Sequence, residues 1–383
     1  MYDVSVIVPI YYGKKYIKQL LQQVEACWKC AEGKIGIELL LVNDAPDDPL
    51  PQDYFSECVE IVVLNTEVNR GVQGARVKGI EKSRGKYILF LDQDDKIATE
   101  YLKSQLGKIG DYDAVVCKAI HERKPFYNLT RPFSSSICKD YMLREKNSII
   151  SPGQVLMKKE AVSEIWKKNI LQNNGADDWM LWLCMMEEGK TFVLNDETLF
   201  EHVVEGSNTS LRVLEMYRSE QEVLDVIRKN HVFSEADTSA LERTIQSLTE
   251  MRFQLLGKFQ RISCVYDSWL SIRNHKVHIS YYLKQRGYKT IAIYGVTSLG
   301  KQLFQELNID KFEVSYFIDM NAPFFNEQFK ICSPNDELKQ VDAVIISLVE
   351  NERQISDLLQ TKLSADIWTI AELLGKMEEV LDA

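Results

Sequence analysis

"KYILFLDQDDKIAT", residues 86–99, decides the fold. An apolar β-type run, Tyr87 to Leu91, stops at Asp92-Gln93-Asp94-Asp95. Three carboxylates in four residues repel one another at neutral pH. They cost stability unless a turn hydrates them or a cation sits among them. The run is the fourth of its kind in the chain. "VSVIVPI" reads as a buried strand, Lys14 to Ala31 as a helix, "IELLLVND" as a second strand, "VEIVVLN" as a third and Val72 to Ser83 as another helix. Strands separated by helical segments imply crossover connections and a mainly parallel sheet covered on both faces. A ligand then belongs in the crevice at the carboxyl ends of the strands. The acids fall there: Asp44 after "LLLVN", Asp92 and Asp94 after "YILFL", with Asn69 a few residues beyond the third strand.

The whole chain fits that reading. Its 383 residues suffice for two ordinary domains, and 45% hydrophobic with 27% charged residues is a globular composition. A formal net charge of −10 argues against a nucleic-acid partner. Most of the eight cysteines sit in apolar stretches, as in a reduced cytoplasmic protein. Cys27 and Cys30 form a CxxC without the second pair that a zinc ribbon needs, so they read as helix residues. The opening "DVSVIVPIYY" has no basic segment before an apolar one, so no secretory leader is expected. The most conspicuous apolar run, "WMLWLCMM", falls far short of the roughly 20 residues of a membrane span.

Beyond residue 110 the alternation loosens. Between Lys118 and Lys168 stand eleven Lys or Arg against five Asp or Glu, a local excess of six positive charges. From Leu211 to Arg286 helical signals dominate, with Ser234 and Asp237 forming a variant capping box. "KTIAIYGVTSLGKQLFQEL" then restarts a strand–turn–helix unit, followed by "FEVSYFID" and "VDAVIISL". The expected organisation is an α/β domain over 1–210, a helical linker over 211–286 and a smaller α/β domain over 287–383.

Five segments in order carry a family resemblance: "VSVIVPIYYGKKYIKQLLQQV", "LLLVNDAPDD", "NTEVNRGVQGARVKGIEKSRGKYILFLDQDD", "GADDWMLWLCMMEEGKTF" and "FEHVVEGSNTS". Together they resemble the family-two, GT-A-fold inverting glycosyltransferases over residues 1–210. There are departures. Asn43 and Ala45-Pro46 interrupt the family's V-D-D-G-S-x-D block, Lys78 replaces its A-R-N-x-G asparagine, and Asp177 replaces the glutamate of its E-D motif.

The resemblance implies transfer of a sugar from a nucleotide donor, with UDP-sugars the expected class, to a glycan or glycolipid hydroxyl in cell-surface polysaccharide synthesis. A leaving nucleoside diphosphate gains negative charge, which Mn²⁺ or Mg²⁺ held by strand-end carboxylates would neutralise. By family analogy Asp94 is a metal ligand, Asp92 contacts ribose or the metal's water shell, and Asp95 caps the turn into the next helix. Pro9 and Tyr11 lie where the family places the base, and Asp44 is suited to accept a uracil N–H, unless it closes an Asx turn. Asn69, Gly71 and Arg76 complete the expected donor side; the alternative for Arg76 is a solvated helix arginine. Inversion needs a base for the acceptor hydroxyl. Asp178 is the candidate, supported by Asp177, and both acids also suit a helix N-terminus. His202 is expected at the metal site, or else as a lone surface histidine.

The positive stretch is expected to meet phosphate, either a polyprenyl-diphosphate-linked acceptor or the anionic inner face of the membrane, giving a cytoplasmic protein with peripheral association, unless it is an acceptor loop of ordinary solvated lysines. Homo-oligomers through the linker or C-terminal domain remain open. That domain reads as Rossmann-like, with Gly295, Gly300 and Asp319 near the dinucleotide positions. Thr297 stands where the middle glycine of G-x-G-x-x-G should be and would crowd a pyrophosphate, so NAD binding is not expected. Two rival functions exist. A sugar nucleotidyltransferase would need a Gly-rich phosphate loop that "PIYYGKKY" lacks; a non-catalytic donor-sensing or scaffold protein would have no need of Asp92, Asp94 and Asp178.

Overall fold

The computed structural model describes residues 2–121, 124–125, 131–203, 212–325 and 327–381. The chain divides into two compact units, Met1–Met251 and Arg252–Ala383. In the first, the strands are β1 (Val4–Ile10), β2 (Ile37–Asn43), β3 (Glu60–Asn65), β4 (Tyr87–Phe90), β5 (Lys96–Ile97), β6 (Ala114–His121), β7 (Lys124–Pro125), β8 (Val155–Lys158) and β9 (Phe192–Glu201). They form one sheet in the order β3-β2-β1-β4-β8-β6-β9-β5, with β7 on β6. β3, β2, β1 and β4 are parallel, and β8 turns antiparallel against β4. The result is a mixed α/β sheet with a parallel half, as the sequence led us to expect.

Alternation along β1 explains the layers. Ile7 joins one core with Phe90, Trp166 and Trp182, while Val6 and Val8 join the core on the other face with Leu20, Leu39 and Leu41. Helix Ile17–Cys30 buries Ile17, Leu20, Val24 and Cys27 at three- and four-residue spacing, so both CxxC cysteines are helix residues. All eight cysteines are free thiols; Cys27, Cys117, Cys184 and Cys332 are buried and Cys264 is exposed.

Two features of register set up the site. β1 and β4 are neighbours, with Ile7 opposite Phe90, so the segments leaving their carboxyl ends emerge side by side. Helix Gly71–Lys82 crosses back over β1, where a Cβ on Gly79 would stand 2.3 Å from Ile7 Cγ2. Only glycine permits that approach. The helix therefore lies close to the sheet and carries Arg76, one turn earlier, toward the strand ends.

The helical region after 211 does not stand apart as a linker. Val223, Leu224 and Ile227 of helix Val213–Lys229, with Leu241 and Ile245 of helix Glu235–Asn274, pack into the same core as Trp182. Ser234 Oγ accepts from Asp237 N at 3.1 Å, as the capping box requires. The units divide within helix Glu235–Asn274, at residues 251 and 252, rather than at 210 and 286.

The second unit has strands β10 (Thr290–Tyr294), β11 (Glu313–Ile318), β12 (Ile331–Cys332), β13 (Ala343–Ile346) and β14 (Asp366–Thr369). All pairings are parallel and the order is β12-β11-β10-β13-β14, that of a doubly wound open sheet.

Candidate active site

The acid turn after β4 is built as the sequence suggested, but its members differ in fate. Asp94 keeps its carboxylate free of any hydrogen-bond or ion-pair partner from other described residues; burial, then the charges of Asp95 and Asp92, push its pKa up to about 6. Asp92 is half-buried and takes Arg76 Nη2 at 2.6 Å. Asp95 is fully buried and does not cap the following helix. Its Oδ1 accepts from Val203 N at 3.0 Å and faces His202 Nδ1 at 3.0 Å, while Oδ2 accepts from Ser151 Oγ at 3.2 Å. The following helix, Tyr101–Ile109, has Glu100 at its cap with no side-chain bond.

His202 is thus no lone surface histidine. Burial opposes its charge, yet the bond to Asp95 and the charges of Asp95, Asp92 and Asp94 hold its pKa above the ordinary value. Ser207, which closes the H-x-x-x-x-S segment, lies outside the described residues.

Arg76 is the centre of the site. It is buried, so the solvated-arginine reading falls away. Nη2 binds Asp92, Nη1 binds Asp177 Oδ2 at 2.6 Å, and the guanidinium sits 5.7 Å from the centre of the Phe90 ring. Asp177 and Asp178 open helix Asp177–Glu187, whose cap residue, Ala176, offers no side-chain bond. Asp178 accepts from Trp179 N at 2.6 Å and from Asn147 Nδ2 at 3.4 Å. It retains some solvent contact, but the protein around it and the charge of Asp177 raise its pKa to about 8 against the pull of Arg76.

The expected donor side is more occupied. Asp44 is buried; both carboxylate oxygens accept from Arg70 N, at 3.0 and 3.1 Å, and Oδ1 also from Thr66 Oγ1 at 3.3 Å. Asn69 Oδ1 accepts from Gly71 N at 2.9 Å, a tight turn that Gly71 meets with φ of +73°. Asn174 Oδ1 then accepts from Val72 N at 3.1 Å, tying the start of that helix to the segment before Asp177. Pro9 is half-buried in β1, and Tyr11, just beyond it, is 52% exposed. Gln93, Asp95, Asn147 and Asn174 were not singled out as site residues from the sequence. Only the first two carried a signal, by lying inside the acid turn.

The donor set suits a hard divalent cation: carboxylate oxygens, one of them unpartnered and made costly by its neighbours. Asp92, Asp94 and His202 do not converge into a three-ligand cage. The one such trio among the described residues is His278, Glu306 and Asp310 in the second unit. It is already satisfied by Trp269 and Arg273 on Glu306 and by Ser280 on Asp310. Ions that keep their waters and bind through one or two carboxylates plus phosphate oxygens do not need a cage.

Some of the basic residues between 118 and 168 form ion pairs within the protein. Lys118 pairs with Asp196, Lys139 with Glu187 and Asp237, Arg144 with Asp140 and Asp237, and Lys167 and Lys168 with Glu164. No described helix is long and apolar enough to cross a membrane.

The candidate site is thus a carboxylate turn after β4 and an acidic pair at the start of helix Asp177–Glu187, linked by Arg76. Residues 5–166 match the family model described as Glycosyl transferase family 2. EpsH of Bacillus subtilis, which bears the name of a glycosyltransferase, is 30% identical over 151 residues, 38% of this chain and 41% of that protein. The minor teichoic acid biosynthesis protein GgaB of the same organism is 28% identical over 173 residues, 43% of this chain and 19% of GgaB. The matches thus span less than half of either relative. Among solved structures, S. aureus TarS 1–349 in complex with UDP-GlcNAc aligns with a TM-score of 0.46 at 17% identity, over 63% of this chain and 71% of that one.

Proposed function

We propose that the chain is a metal-dependent inverting glycosyltransferase that moves a sugar from a nucleotide donor, UDP-sugars being the expected class, to a hydroxyl of a cell-surface glycan or its lipid-linked precursor. One observation carries the reading. Arg76 joins Asp92 of the strand-end turn to Asp177, the neighbour of Asp178, so the turn proposed to bind the cation and the base candidate share one charged cluster. The names of EpsH and GgaB, a glycosyltransferase and a protein of teichoic acid synthesis, support the reaction class and the kind of product.

Asp94 and Asp92 would hold Mn²⁺ or Mg²⁺, which when bound neutralises charge on the departing diphosphate. Tyr11 and Pro9 border the donor's base. Arg76 neutralises Asp177 and Asp92 and leaves Asp178 as the carboxyl whose proton is exchangeable. Asp178, once deprotonated, accepts the proton of the acceptor hydroxyl as the new bond forms. Asn147 and the Trp179 amide fix its orientation.

Contact with the anionic inner leaflet would draw on the basic residues between 118 and 168, some of which also pair with acids of the protein. Cosedimentation with anionic vesicles at low and high salt tests it; recovery independent of lipid charge would remove it. The main test is donor hydrolysis across UDP-, GDP- and dTDP-sugars with and without Mn²⁺, in wild type and Asp94→Ala. Metal-stimulated hydrolysis lost in the variant supports the reading. Equal, metal-independent rates above background would remove the metal from the reading, and rates at the uncatalysed background would point to the non-catalytic alternative.

A further inference from the structure

The second residue of the acid turn reaches out of it. The Gln93 side-chain amide meets the backbone of Tyr11 at both groups: Tyr11 N donates to Oε1 at 3.0 Å, and Nε2 donates to Tyr11 O at 3.3 Å. Beneath this clamp lies Gly13, where a Cβ would stand 2.0 Å from Gln93 Oε1. Between them Tyr12 takes a left-handed conformation, φ +47°, unusual for a bulky residue and maintained only where the surroundings fix it. The product is a pair of rings turned to solvent. Tyr11 and Tyr12 are 52% and 53% exposed, meet edge to face with centroids 4.6 Å apart, and the Tyr12 hydroxyl donates to Asp47.

Nothing in the core needs these rings outside. A paired, clamped and exposed aromatic surface beside a turn of unpartnered carboxylate is arranged for a ligand that is flat and apolar at one end and anionic at the other. We infer that Gln93 is a positioning residue: its amide locks the segment after β1 in the conformation that presents Tyr11 and Tyr12 to the base of the nucleotide donor. The inference rests on the donor-site reading above and adds how the base side and the cation side are held in register. Gln93 touches neither the reacting atoms nor the cation in this role.

Calorimetric titration of UDP in saturating Mn²⁺ tests it. Gln93→Ala should weaken UDP about 10-fold, the scale of one or two net hydrogen bonds. Gln93→Met, which keeps bulk without the amide, should do the same; wild-type affinity in the Met variant would show that filling space is all Gln93 does. Gly13→Ala should weaken UDP comparably by displacing the amide. In Gln93→Ala that clash has no partner, so adding Gly13→Ala should change affinity less than 2-fold. Additive losses in the double variant overturn the clamp, as does wild-type affinity in Gln93→Ala. Donor hydrolysis separates positioning from general damage, since KM should rise with kcat at saturating donor kept within about 2-fold. Asp94→Ala measured alongside tells the two ideas apart. Metal dependence lost there together with wild-type UDP affinity in Gln93→Ala rejects the clamp alone, whereas metal-dependent binding of wild-type strength retained in Asp94→Ala rejects the donor-site reading.

Discussion

Both units set parallel strands side by side and leave an acid at the carboxyl end of a strand near the middle, yet they treat that acid oppositely. In the second unit Asp319 follows β11, accepts from Val296 N at 2.9 Å and Asn321 N at 2.9 Å, and is spent on holding its own loops. Thr297 caps the next helix through Gly300 N, and the Ser347 hydroxyl bonds the backbone at 294 and 295. A Cβ on Gly295 or Gly300 would meet Ser347 Oγ at 2.9 or 2.7 Å, so the space those glycines free is filled by the protein. In the first unit the Asp94 carboxylate has no such partner among the described residues. A strand-end acid marks a site only when the fold declines to satisfy it.

The sharpest way to break the contrast is at Arg76. Arg76→Leu leaves Asp177 buried without its cation, and removing one partner of a buried pair costs about 3–5 kcal/mol. Denaturant unfolding near neutral pH should show that loss. A loss under about 1 kcal/mol would mean that Arg76 does not hold the two halves of the site.

Asp178→Asn gives the next largest effect. It keeps shape but cannot take a proton, so transfer should fall about 100-fold or more while UDP affinity holds. Stability should respond as well. Asp178 has a folded-state pKa of about 8, above the ordinary carboxyl value, so between roughly pH 4 and 8 the folded protein binds a proton that the unfolded chain has released. Its contribution is therefore full at acid pH and lost as pH rises through about 8. The apo Asn variant should gain on wild type with rising pH across that window; parallel stability curves would show that Asp178 is ionised throughout.

The smallest effect belongs to the second unit. Asp319→Asn weakens two loop bonds and should cost about 1 kcal/mol, with donor hydrolysis unchanged. A loss of donor hydrolysis in this variant would end the contrast, because its strand-end acid would then serve function too.

Much of this was legible beforehand. The apolar runs ending in acids gave the parallel strands and the crevice, and Asp92 and Asp177 meet through Arg76. What escaped was direction. Arg76 lies on a helix whose pattern does not tell that Gly79 presses it onto β1. Asp95 and Gln93 sit in the same four residues, but one turns inward to His202 and the other across to Tyr11; β1–β4 adjacency decides this, and local sequence cannot. The limits of the helical region escaped for a similar reason. Leu241 and Ile245 fit any amphipathic helix, and only packing shows that they belong to the first core.

The buried thiols offer a clock on each unit. Burial pushes Cys27 up to about 11 and Cys184 up to about 12, which leaves almost no thiolate to alkylate in the folded protein. Exposed Cys264 is modified at once and calibrates the reagent, whereas Cys184 in the first unit and Cys332 in the second react only when their surroundings open. Peptide masses after timed alkylation in dilute denaturant then yield two opening free energies from one sample. Donor and Mn²⁺ should slow labelling of Cys184 and leave Cys332 on its original schedule.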